Sequence, residues 1–288
     1  MKTIATVNEL KTQISSWKND GFSIGLVPTM GFLHEGHESL IKRAVSENDK
    51  VVVSIFVNPT QFGPNEDFES YPRDMDNDAA LCRSNSVSAV FAPAVSEMYR
   101  SDSCTFVDVS LISEPLCGRK RPGHFRGVCT VVSKLFNLTK ADRAYFGEKD
   151  AQQLAVVTRM ARDLNFDVEI KGCPIVREPD GLAKSSRNTY LNQKERAAAL
   201  VLSRSLFHAR DHIVSMDGKT AKAKDVVDMI TDEIMSEPLA RIDYVEIVDS
   251  ENLREADDLT GKILIALAVF IGKTRLLDNI TMTLKKNS

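Results

Sequence analysis

The residues that most constrain the fold lie between positions 24 and 47. An apolar run at 24–27 is followed by the string Pro-Thr-Met-Gly-Phe-Leu-His-Glu-Gly-His at 28–37 and by a helix-like segment at 37–47. This order predicts a parallel strand, a loop at its carboxyl end and a helix that begins in the loop. Unpaired N–H groups in the first turn of such a helix attract anions, phosphate above all. We therefore expect a nucleotide to bind at this loop.

Two histidines in the loop suggest how phosphate would be held. His34 and His37 are three residues apart around Gly36, a spacing that lets both imidazoles reach the same phosphates. Gly31 and Gly36 allow the backbone to approach closely. The alternative is an ordinary turn with one hydrogen-bonded histidine and one exposed histidine. A zinc site of the His-Glu-x-x-His kind is disfavoured, because that motif needs a four-residue step on a continuous helix.

Length and composition limit the functional classes. A chain of 288 residues is long enough for about two domains. Its hydrophobic content of 43% and charged content of 27% are typical of a globular protein. A net charge of −3 does not favour broad binding to nucleic acid or to an anionic membrane, so we expect neither as a partner. Small anionic substrates remain compatible, since they need only a local cluster of cations.

Cysteine usage and the N-terminal residues bear on the compartment. The five cysteines are odd in number, scattered and without a Cys-x-x-Cys pair, which predicts reduced thiols. The first residues lack the apolar core of a signal peptide, and no apolar run is long enough for a membrane span. We expect a cytoplasmic protein.

Strand-like and helix-like segments alternate up to about residue 175. The predicted strands are 24–27, 50–57, 87–91, 104–109, 143–146 and 168–170, and the predicted helices are 7–19, 37–47, 75–85, 128–136 and 151–164. Nearly continuous β-branched and apolar strands are typical of a parallel sheet covered on both faces. The prediction for residues 1–175 is a doubly wound (Rossmann-like) α/β domain.

The pattern changes after residue 177. Predicted helices at 193–214 and 226–235 precede predicted strands at 242–248, 263–270 and 280–284. The turns between these strands are too short for parallel crossovers, so the strands should be antiparallel. We expect residues 176–288 to form a smaller α+β domain with a small antiparallel sheet.

The loop after the second strand carries Asn58 and Gln61. By the switch-point rule, this loop faces the same crevice as the first. The amide of Gln61 can orient a hydroxyl or carboxylate without neutralising its charge. The alternative is a turn whose amides cap the local backbone.

A third loop joins the strand at 143–146 to the next helix and reads Gly147-Glu148-Lys149-Asp150. A cation such as Lys149 is unfavourable near a helix start unless a bound phosphate supplies negative charge. Gln153 lies about one turn further on and could address the same ligand as Gln61. The alternative is a solvated charge run.

A serine-rich stretch, 182–188, follows the predicted domain boundary. The hydroxyls of Ser185 and Ser186 and the guanidinium of Arg187 can wrap a triphosphate and stabilise charge on departing pyrophosphate. An ordinary serine-rich loop is the alternative interpretation.

Two other clusters are weaker candidates. His208 and His212 have the i, i+4 spacing of a helical metal site, but no third ligand lies nearby in the sequence, so a solvated face is the simpler interpretation. Asp76 and Asp78 could join a Mg²⁺ site, yet acids in the first turn of a helix explain them more simply.

These motifs together resemble a known family. The His-x-Gly-His of 34–37 is the signature of the class I aminoacyl-tRNA synthetase and nucleotidyltransferase superfamily. The full string at 28–37 resembles the pantothenate synthetase (pantoate–β-alanine ligase) family, as do Val-Asn-Pro-Thr-Gln-Phe-Gly at 57–63 and Ser-Ser-Arg-Asn at 185–188. Further similar strings at 122–128 and 272–279 extend the resemblance over nearly the whole chain.

The resemblance implies an ATP-dependent ligase that joins pantoate to β-alanine through a pantoyl adenylate, releasing AMP and pyrophosphate. It also implies Mg²⁺ as cofactor and a homodimer. The implied ATP-binding residues are Met30, Gly31, Phe32, Leu33, His34, Glu35, Gly36, His37, Gly147, Glu148, Lys149, Asp150, Val176, Lys184, Ser185, Ser186 and Arg187. The implied pantoate-binding residues are Gln61, Gln153 and Asn58, with Gln61 also beside β-alanine. The implied catalytic residues are His37 as proton donor, His34, Lys149 and Arg187.

Two other functions are compatible with parts of the sequence. A nucleotidyltransferase of the same superfamily would transfer a nucleotide to a phosphate acceptor, but such an acceptor favours cations over Gln61 and Gln153. A non-catalytic nucleotide-binding or tRNA-binding module is disfavoured by the acidic balance of the chain and by the combination of both histidines with Lys149 and Arg187.

Overall fold

A computed structural model of the chain describes residues 1–64, 66–216 and 222–284. The chain forms two compact units. Unit 1 comprises 1–110, 121–148 and 156–174, and unit 2 comprises 111–120, 149–155 and the residues from 175 onward. Two short segments that precede residue 175 therefore belong to unit 2.

Unit 1 is built on a six-stranded parallel sheet. Its strands are β1 (Lys2–Ile4), β2 (Ile24–Thr29), β3 (Lys50–Ile55), β4 (Ala89–Phe91), β5 (Arg143–Gly147) and β6 (Glu169–Cys173). Their order is β1-β4-β3-β2-β5-β6, and every neighbouring pair is parallel. The chain order reverses at β2, which lies between β3 and β5. The predicted doubly wound sheet is confirmed, and its switch point is the strand that leads into the histidine loop.

The helices that accompany this part of the chain are α1 (Val7–Asn19), α2 (Glu35–Glu47), α3 (Met75–Ser84), α4 (Val95–Met98), α5 (Cys117–Lys120), α6 (His124–Thr139) and α7 (Ala151–Asp163). Helix α2 packs Leu40 and Ile41 against Val27 and Val53 of β2 and β3, all of them buried. Burying such apolar side chains contributes about 1.5–3 kcal/mol each. This packing fixes the start of α2 over the carboxyl end of β2.

One sequence-based prediction for unit 1 is wrong, and one short strand was missed. The predicted strand at 104–109 is an extended, largely exposed segment outside the sheet. The N–H of Val107 donates to Thr130 Oγ1 at 3.0 Å, so this backbone group is satisfied by a side chain rather than by a neighbouring strand. Strand β1 was not predicted, because three residues are too few to show a period of two.

Unit 2 contains a three-stranded antiparallel sheet in the order β7-β8-β9, as predicted. The strands are β7 (Ala240–Asp249), β8 (Gly261–Ile271) and β9 (Thr274–Leu284), and the helices are α8 (Gln193–Ala198), α9 (Leu200–Ser215) and α10 (Ala223–Met235). The single helix predicted at 193–214 is two helices that meet at the buried Ala199. Apolar side chains of α9 and α10, including Leu206 and Ile230, form the core with Ile265 and Leu267 of β8.

Within the described residues, no helix has both the length and the apolar character needed to cross a membrane.

Candidate active site

The loop after β2 starts with two hydrogen bonds made by Thr29. Its hydroxyl donates to the carbonyl of Ser54 at 2.7 Å and accepts from the N–H of Gly31 at 3.2 Å. Gly31 and Phe32 then adopt positive φ values of 85° and 51°. Glycine takes such a φ without strain, whereas Phe32 needs its neighbours to hold it there. The loop therefore has a defined backbone conformation that its hydrogen bonds hold.

Asp78, from the first turn of α3, supplies the main restraint. Its two carboxylate oxygens accept from Phe32 N at 2.8 Å and from Leu33 N at 2.6 Å, and the residue is 2% exposed. Burial raises the pKa of Asp78, while the two N–H donors act to lower it. A Cβ at Gly31 would lie 2.9 Å from Asp78 Oδ2, so the glycine also makes room for this carboxylate. The predicted place of Asp78 in the first turn of a helix is confirmed, but no sequence pattern indicates its hydrogen bonds to the loop.

The two histidines lie side by side at the start of α2. Their ring centroids are 4.1 Å apart, with the planes tilted by 41°. His34 Nδ1 accepts from Gly36 N at 3.1 Å, and His37 Nδ1 accepts from His34 N at 3.3 Å. Because each Nδ1 accepts a hydrogen bond, a neutral ring carries its proton on Nε2. These capping hydrogen bonds therefore make Nε2–H the donor of each neutral ring. A phosphate oxygen can accept a hydrogen bond from such a group.

Gln61 is held in the 3-10 turn Pro59–Gln61, and its amide touches the histidine loop. Its Nε2 lies 3.1 Å from Met30 Sδ, and its Oε1 accepts from Asn58 Nδ2 at 3.1 Å. Asn58 is 1% exposed, and its amide also bonds Gly127 O and the Tyr99 hydroxyl. The structure brings the predicted residues Met30, Gln61 and Asn58 together, with Asn58 engaged by protein groups.

The backbone of Gln61 is fixed from the side of α6. His124 Nδ1 lies 2.8 Å from Gln61 O, and Arg121 Nη2 donates to the same oxygen at 3.3 Å. Arg121 is itself held by Glu66 through two bonds of 2.6 Å. A Cβ at Gly127 would lie 2.3 Å from the carbonyl oxygen of Thr60, so only glycine lets α6 approach this turn. In the sequence, Gly127 stands out only as part of a family-like string, because a sequence does not show which backbone lies against it.

Unit 2 holds the predicted residues Lys149, Asp150 and Gln153. Lys149 Nζ lies 3.6 Å from Asp150 Oδ1, with 20% of the lysine side chain exposed, and the carbonyl of Lys149 accepts from Asn279 Nδ2 at 2.9 Å. Gln153 is half-buried. Its neighbour Gln152 is buried and bonds the backbone of the 112–117 segment, so it has a structural role.

The serine-rich loop of unit 2 is ordered by its own side chains. Ser185 caps the 3-10 turn Ser186–Tyr190 by accepting from Arg187 N at 3.3 Å. Asn188 Nδ2 donates to Ala183 O at 3.1 Å, and Lys184 N donates to Val176 O at 2.9 Å. These bonds place the backbone of Lys184, Ser185 and Arg187 on a short, defined segment.

The weaker metal candidates find other partners. His208 Nδ1 is 2.9 Å from Glu233 on the neighbouring helix α10, and its side chain is 59% exposed. Across the part of the chain that the structure describes, no three His, Cys, Asp or Glu side chains are grouped as metal ligands.

The predicted site residues divide between the two units. Unit 1 carries Met30, Gly31, Phe32, Leu33, His34, Glu35, Gly36, His37, Asn58, Gln61, Gly147 and Glu148, and unit 2 carries Lys149, Asp150, Gln153, Val176, Lys184, Ser185, Ser186 and Arg187. Their contact with substrate stays a prediction.

Comparison with known proteins identifies the family of the chain. The family model described as pantoate-beta-alanine ligase matches residues 2–281. Pantothenate synthetase of Clostridium novyi (strain NT) is 59% identical, covering 97% of this chain and 98% of that protein. That of Enterococcus faecalis (strain ATCC 700802 / V583) is 56% identical, covering 99% of this chain and 100% of that protein.

Solved structures of the same family resemble this chain over nearly its whole length. Pantothenate synthetase from Thermus thermophilus superposes with a TM-score of 0.91 at 44% identity, covering 97% of this chain and 99% of that one. Pantoate-β-alanine ligase from Francisella tularensis, complexed with β-γ ATP and β-alanine, has a TM-score of 0.79 at 35% identity and covers 97% of each chain. On the full-length match and the shared fold, the chain belongs to the pantoate–β-alanine ligase family.

Proposed function

We propose that this chain joins pantoate to β-alanine in two chemical steps. As a member of its family it is an ATP-dependent ligase of these two substrates. In the first step, a pantoate carboxylate oxygen attacks the α-phosphate of ATP and pyrophosphate leaves. In the second, the β-alanine amine attacks the acyl carbon of pantoyl adenylate and AMP leaves. A carboxylate is a poor acyl donor until it carries such a leaving group, so activation must come first.

The observation that carries the proposal is the pair of backbone hydrogen bonds that His34 and His37 accept at Nδ1, from which we infer the tautomer of each neutral ring. With both Nδ1 atoms accepting backbone N–H groups, the Nε2–H groups of His34 and His37 are the donors offered to phosphate. His37 would donate as negative charge shifts toward pyrophosphate in the first step, with His34 on the same phosphates. Donors fixed in advance stabilise that charge without reorganisation during the reaction. Residues 30–37 would bind ATP.

The contact between Gln61 and Met30 supports a pantoate position next to the ATP loop. Gln61 is buried, and its neutral amide can bind a hydroxyl or carboxylate without removing the negative charge that makes pantoate a nucleophile. We propose that Gln61 contacts pantoate and lies beside β-alanine. Asn58 is engaged by protein partners, so it would act by orienting Gln61. Gln153 of unit 2 is proposed as a second pantoate residue.

The cationic side chains of unit 2 would bind the triphosphate of ATP. We propose that Lys149 and Arg187 stabilise charge on the reacting phosphates, with Lys184, Ser185 and Ser186 donating from the same ordered loop as Arg187. Gly147, Glu148, Asp150 and Val176 would complete the ATP-binding residues.

Mg²⁺ is proposed as the metal that accompanies ATP. Described acidic residues do not form a dedicated ligand cluster, and the carboxylate of Asp78 is occupied by two backbone donors. The substrate phosphates would therefore supply most of its ligands, an arrangement that suits Mg²⁺. The ion would neutralise part of the triphosphate charge.

The protein is also proposed to be a cytoplasmic homodimer, as the family resemblance implies. All five cysteines are free thiols, which fits a reducing compartment. Light scattering on the purified chain tests the dimer, and a monomer mass at micromolar concentration would exclude it.

A product assay tests the ligase function. Purified protein given ATP, Mg²⁺, pantoate and β-alanine should form pantothenate, AMP and pyrophosphate in equal amounts. Formation of ADP and phosphate would contradict an adenylate route. A requirement for a phosphorylated acceptor would identify a nucleotidyltransferase, and the absence of turnover with retained ATP binding would identify a binding module.

A further inference from the structure

Strand β9 carries a buried polar pair, Asp278 and Asn279, whose partners lie far away in the sequence. They are 2% and 4% exposed. Neither belongs to the residues assigned to ATP, pantoate or β-alanine. Buried polar side chains are costly unless their hydrogen bonds are satisfied, so their partners indicate what the pair does.

Asn279 holds the backbone of the lysine proposed to act on phosphate. Its Nδ2 donates to the carbonyl of Lys149 at 2.9 Å, across 130 residues of sequence. Lys149 lies in the 3-10 turn Glu148–Asp150, which has too few residues to fix itself by repeating hydrogen bonds. The bond from Asn279 therefore ties this turn to a strand whose position is set by the β8–β9 ladder.

Asn279 is in turn clamped by its neighbours. Its own N–H donates to Asp278 Oδ1 at 2.7 Å. Asp278 forms two bonds with Arg177, of 2.7 and 2.8 Å, and Arg177 also donates to Asn279 O at 3.4 Å. The guanidinium lies 5.0 Å from the centre of the Phe207 ring. The backbone N–H and carbonyl of Asn279 are thus both held by one ion pair, in which Asp278 is buried and Arg177 is half-buried.

Consecutive side chains of a strand point to opposite faces of the sheet, which explains how Asp278 and Asn279 contact different parts of unit 2. Asp278 lies on the same face of β9 as Leu276, which belongs to the core packed on α9. Asn279 lies on the other face and reaches the Lys149 turn. A shift of that turn by even about 1 Å would move the ammonium away from a phosphate and can cost as much as roughly 100-fold in rate.

We propose that Asn279 is a positioning residue for Lys149 in the adenylation step. The inference rests on the proposed role of Lys149 in that step. Asn279 acts by fixing the Lys149 backbone and contacts neither ATP nor pantoate. Its removal should therefore matter most while the ammonium group of Lys149 is present.

A double-mutant cycle tests this dependence. Adenylation is measured as pantoate-dependent exchange of labelled pyrophosphate into ATP, for the parent chain, Asn279→Ala, Lys149→Ala and the double variant. Asn279→Ala should slow exchange roughly 10-fold in the parent, and far less in the Lys149→Ala background, because residues that act as a unit are not additive. Thr281→Ala, at an exposed site on the same face of β9, is the matched control and should keep the parent rate.

The outcomes separate a positioning role from a structural one. If Asn279→Ala only reduced the amount of folded protein, it would slow exchange by the same factor with and without Lys149. An equal factor in the two backgrounds would therefore overturn the inference, while leaving the role of Lys149 intact. Parent-like exchange in Asn279→Ala would overturn it as well. Parent-like exchange in Lys149→Ala would remove both the inference and the proposed role of Lys149. If Asn279→Ala does not fold, Asn279→Thr keeps a strand-compatible polar side chain too short for the bond, and the same cycle applies.

Discussion

The ring of His34 lies against the ring of His37, with 4.1 Å between their centroids, and hydrogen bonds orient both rings. The backbone N–H of His34 donates to Nδ1 of His37, so the first histidine fixes the second. His34 is itself the residue that caps α2. One pair of side chains therefore begins the helix and holds two imidazole rings in contact at its first turn.

Replacing His34 by Asn separates these two roles. Asparagine is a favourable N-cap whose Oδ1 can accept from Gly36 in place of Nδ1, but it has no counterpart to Nε2–H. We expect His34→Asn to slow adenylation by more than about 100-fold, the scale for a lost donor to transition-state charge, with little change in melting temperature. His34→Ala should lose the same activity and also about 0.5–2 kcal/mol of stability. Folded His34→Asn with a normal first-step rate would show that the ring serves only as a cap.

Asp78→Asn should impair ATP binding through the loop. The amide keeps one acceptor oxygen but turns an NH₂ group toward Phe32 N or Leu33 N, leaving one of these buried donors without its bond. Such a loss costs about 1–3 kcal/mol. We expect the KM for ATP to rise more than the KM for pantoate in steady-state kinetics, together with reduced stability. Asp76→Asn, at an exposed position of the same helix turn, is the control. Equal ATP KM values in the two variants would mean that the loop does not depend on Asp78.

Gly127→Ala should displace the turn that carries Gln61. The added methyl would meet the Thr60 carbonyl oxygen at 2.3 Å, so either the turn or α6 must move. Overpacking of this kind costs about 1–3 kcal/mol, partly offset by the gain of roughly 1 kcal/mol when alanine replaces a helical glycine. The expected result is a raised KM for pantoate with a smaller change in the KM for ATP. Arg126→Ala, exposed on the same helix, should leave both constants near the parent values. A normal pantoate KM in Gly127→Ala would place Gln61 outside the pantoate site.

The Glu66–Arg121 pair predicts a pH-dependent contribution to stability. Burial acts to raise the pKa of Glu66, but the hydrogen bonds and charge of Arg121 outweigh it, and the pKa lies below its usual value. A carboxyl whose folded-state pKa is lowered stabilises the protein above its unfolded-state pKa, about 4.3, and this contribution is lost as pH falls through the folded-state value.

Glu66→Gln should therefore lower the free energy of unfolding at neutral pH by about 1–3 kcal/mol, as measured by urea titration. The difference from the parent chain should shrink below about pH 4. Glu169→Gln, in which an exposed carboxylate loses its pairing with Lys171, should matter far less, since water screens that pair. A Glu66→Gln deficit that stays constant into the acid range would mean that the ionised pair is not its cause.

The parallel sheet could be predicted because its central strands are continuous apolar runs, buried on both faces. The segment 104–109 shows the limit of such predictions: it was predicted as a strand, but nothing in a sequence says whether another strand lies beside it. The break at Ala199 was also invisible, since alanine favours a continuous helix. Local sequence patterns are a good guide to which helices and strands form. They are a poorer guide to what those helices and strands pack against.

The same distinction holds for the candidate site. Residues 34–37 and Gln61 could be selected because their chemistry and spacing are local. Asp78, Gly127 and Asn279 act through contacts with residues distant in sequence, and no motif marks a carboxylate that will accept two loop N–H groups. The contact of Asn58 with pantoate stays a prediction; that its amide is engaged by protein partners is evident only from its burial and hydrogen bonds in the structure.

The most direct test of the central claim, that an adenylate forms before the amine is needed, is pyrophosphate exchange without β-alanine. The purified chain given ATP, Mg²⁺, pantoate and labelled pyrophosphate should incorporate label into ATP. Subsequent β-alanine should convert the enzyme-bound adenylate to pantothenate and AMP. Exchange that strictly requires β-alanine, or that proceeds equally well without pantoate, would contradict the two-step mechanism.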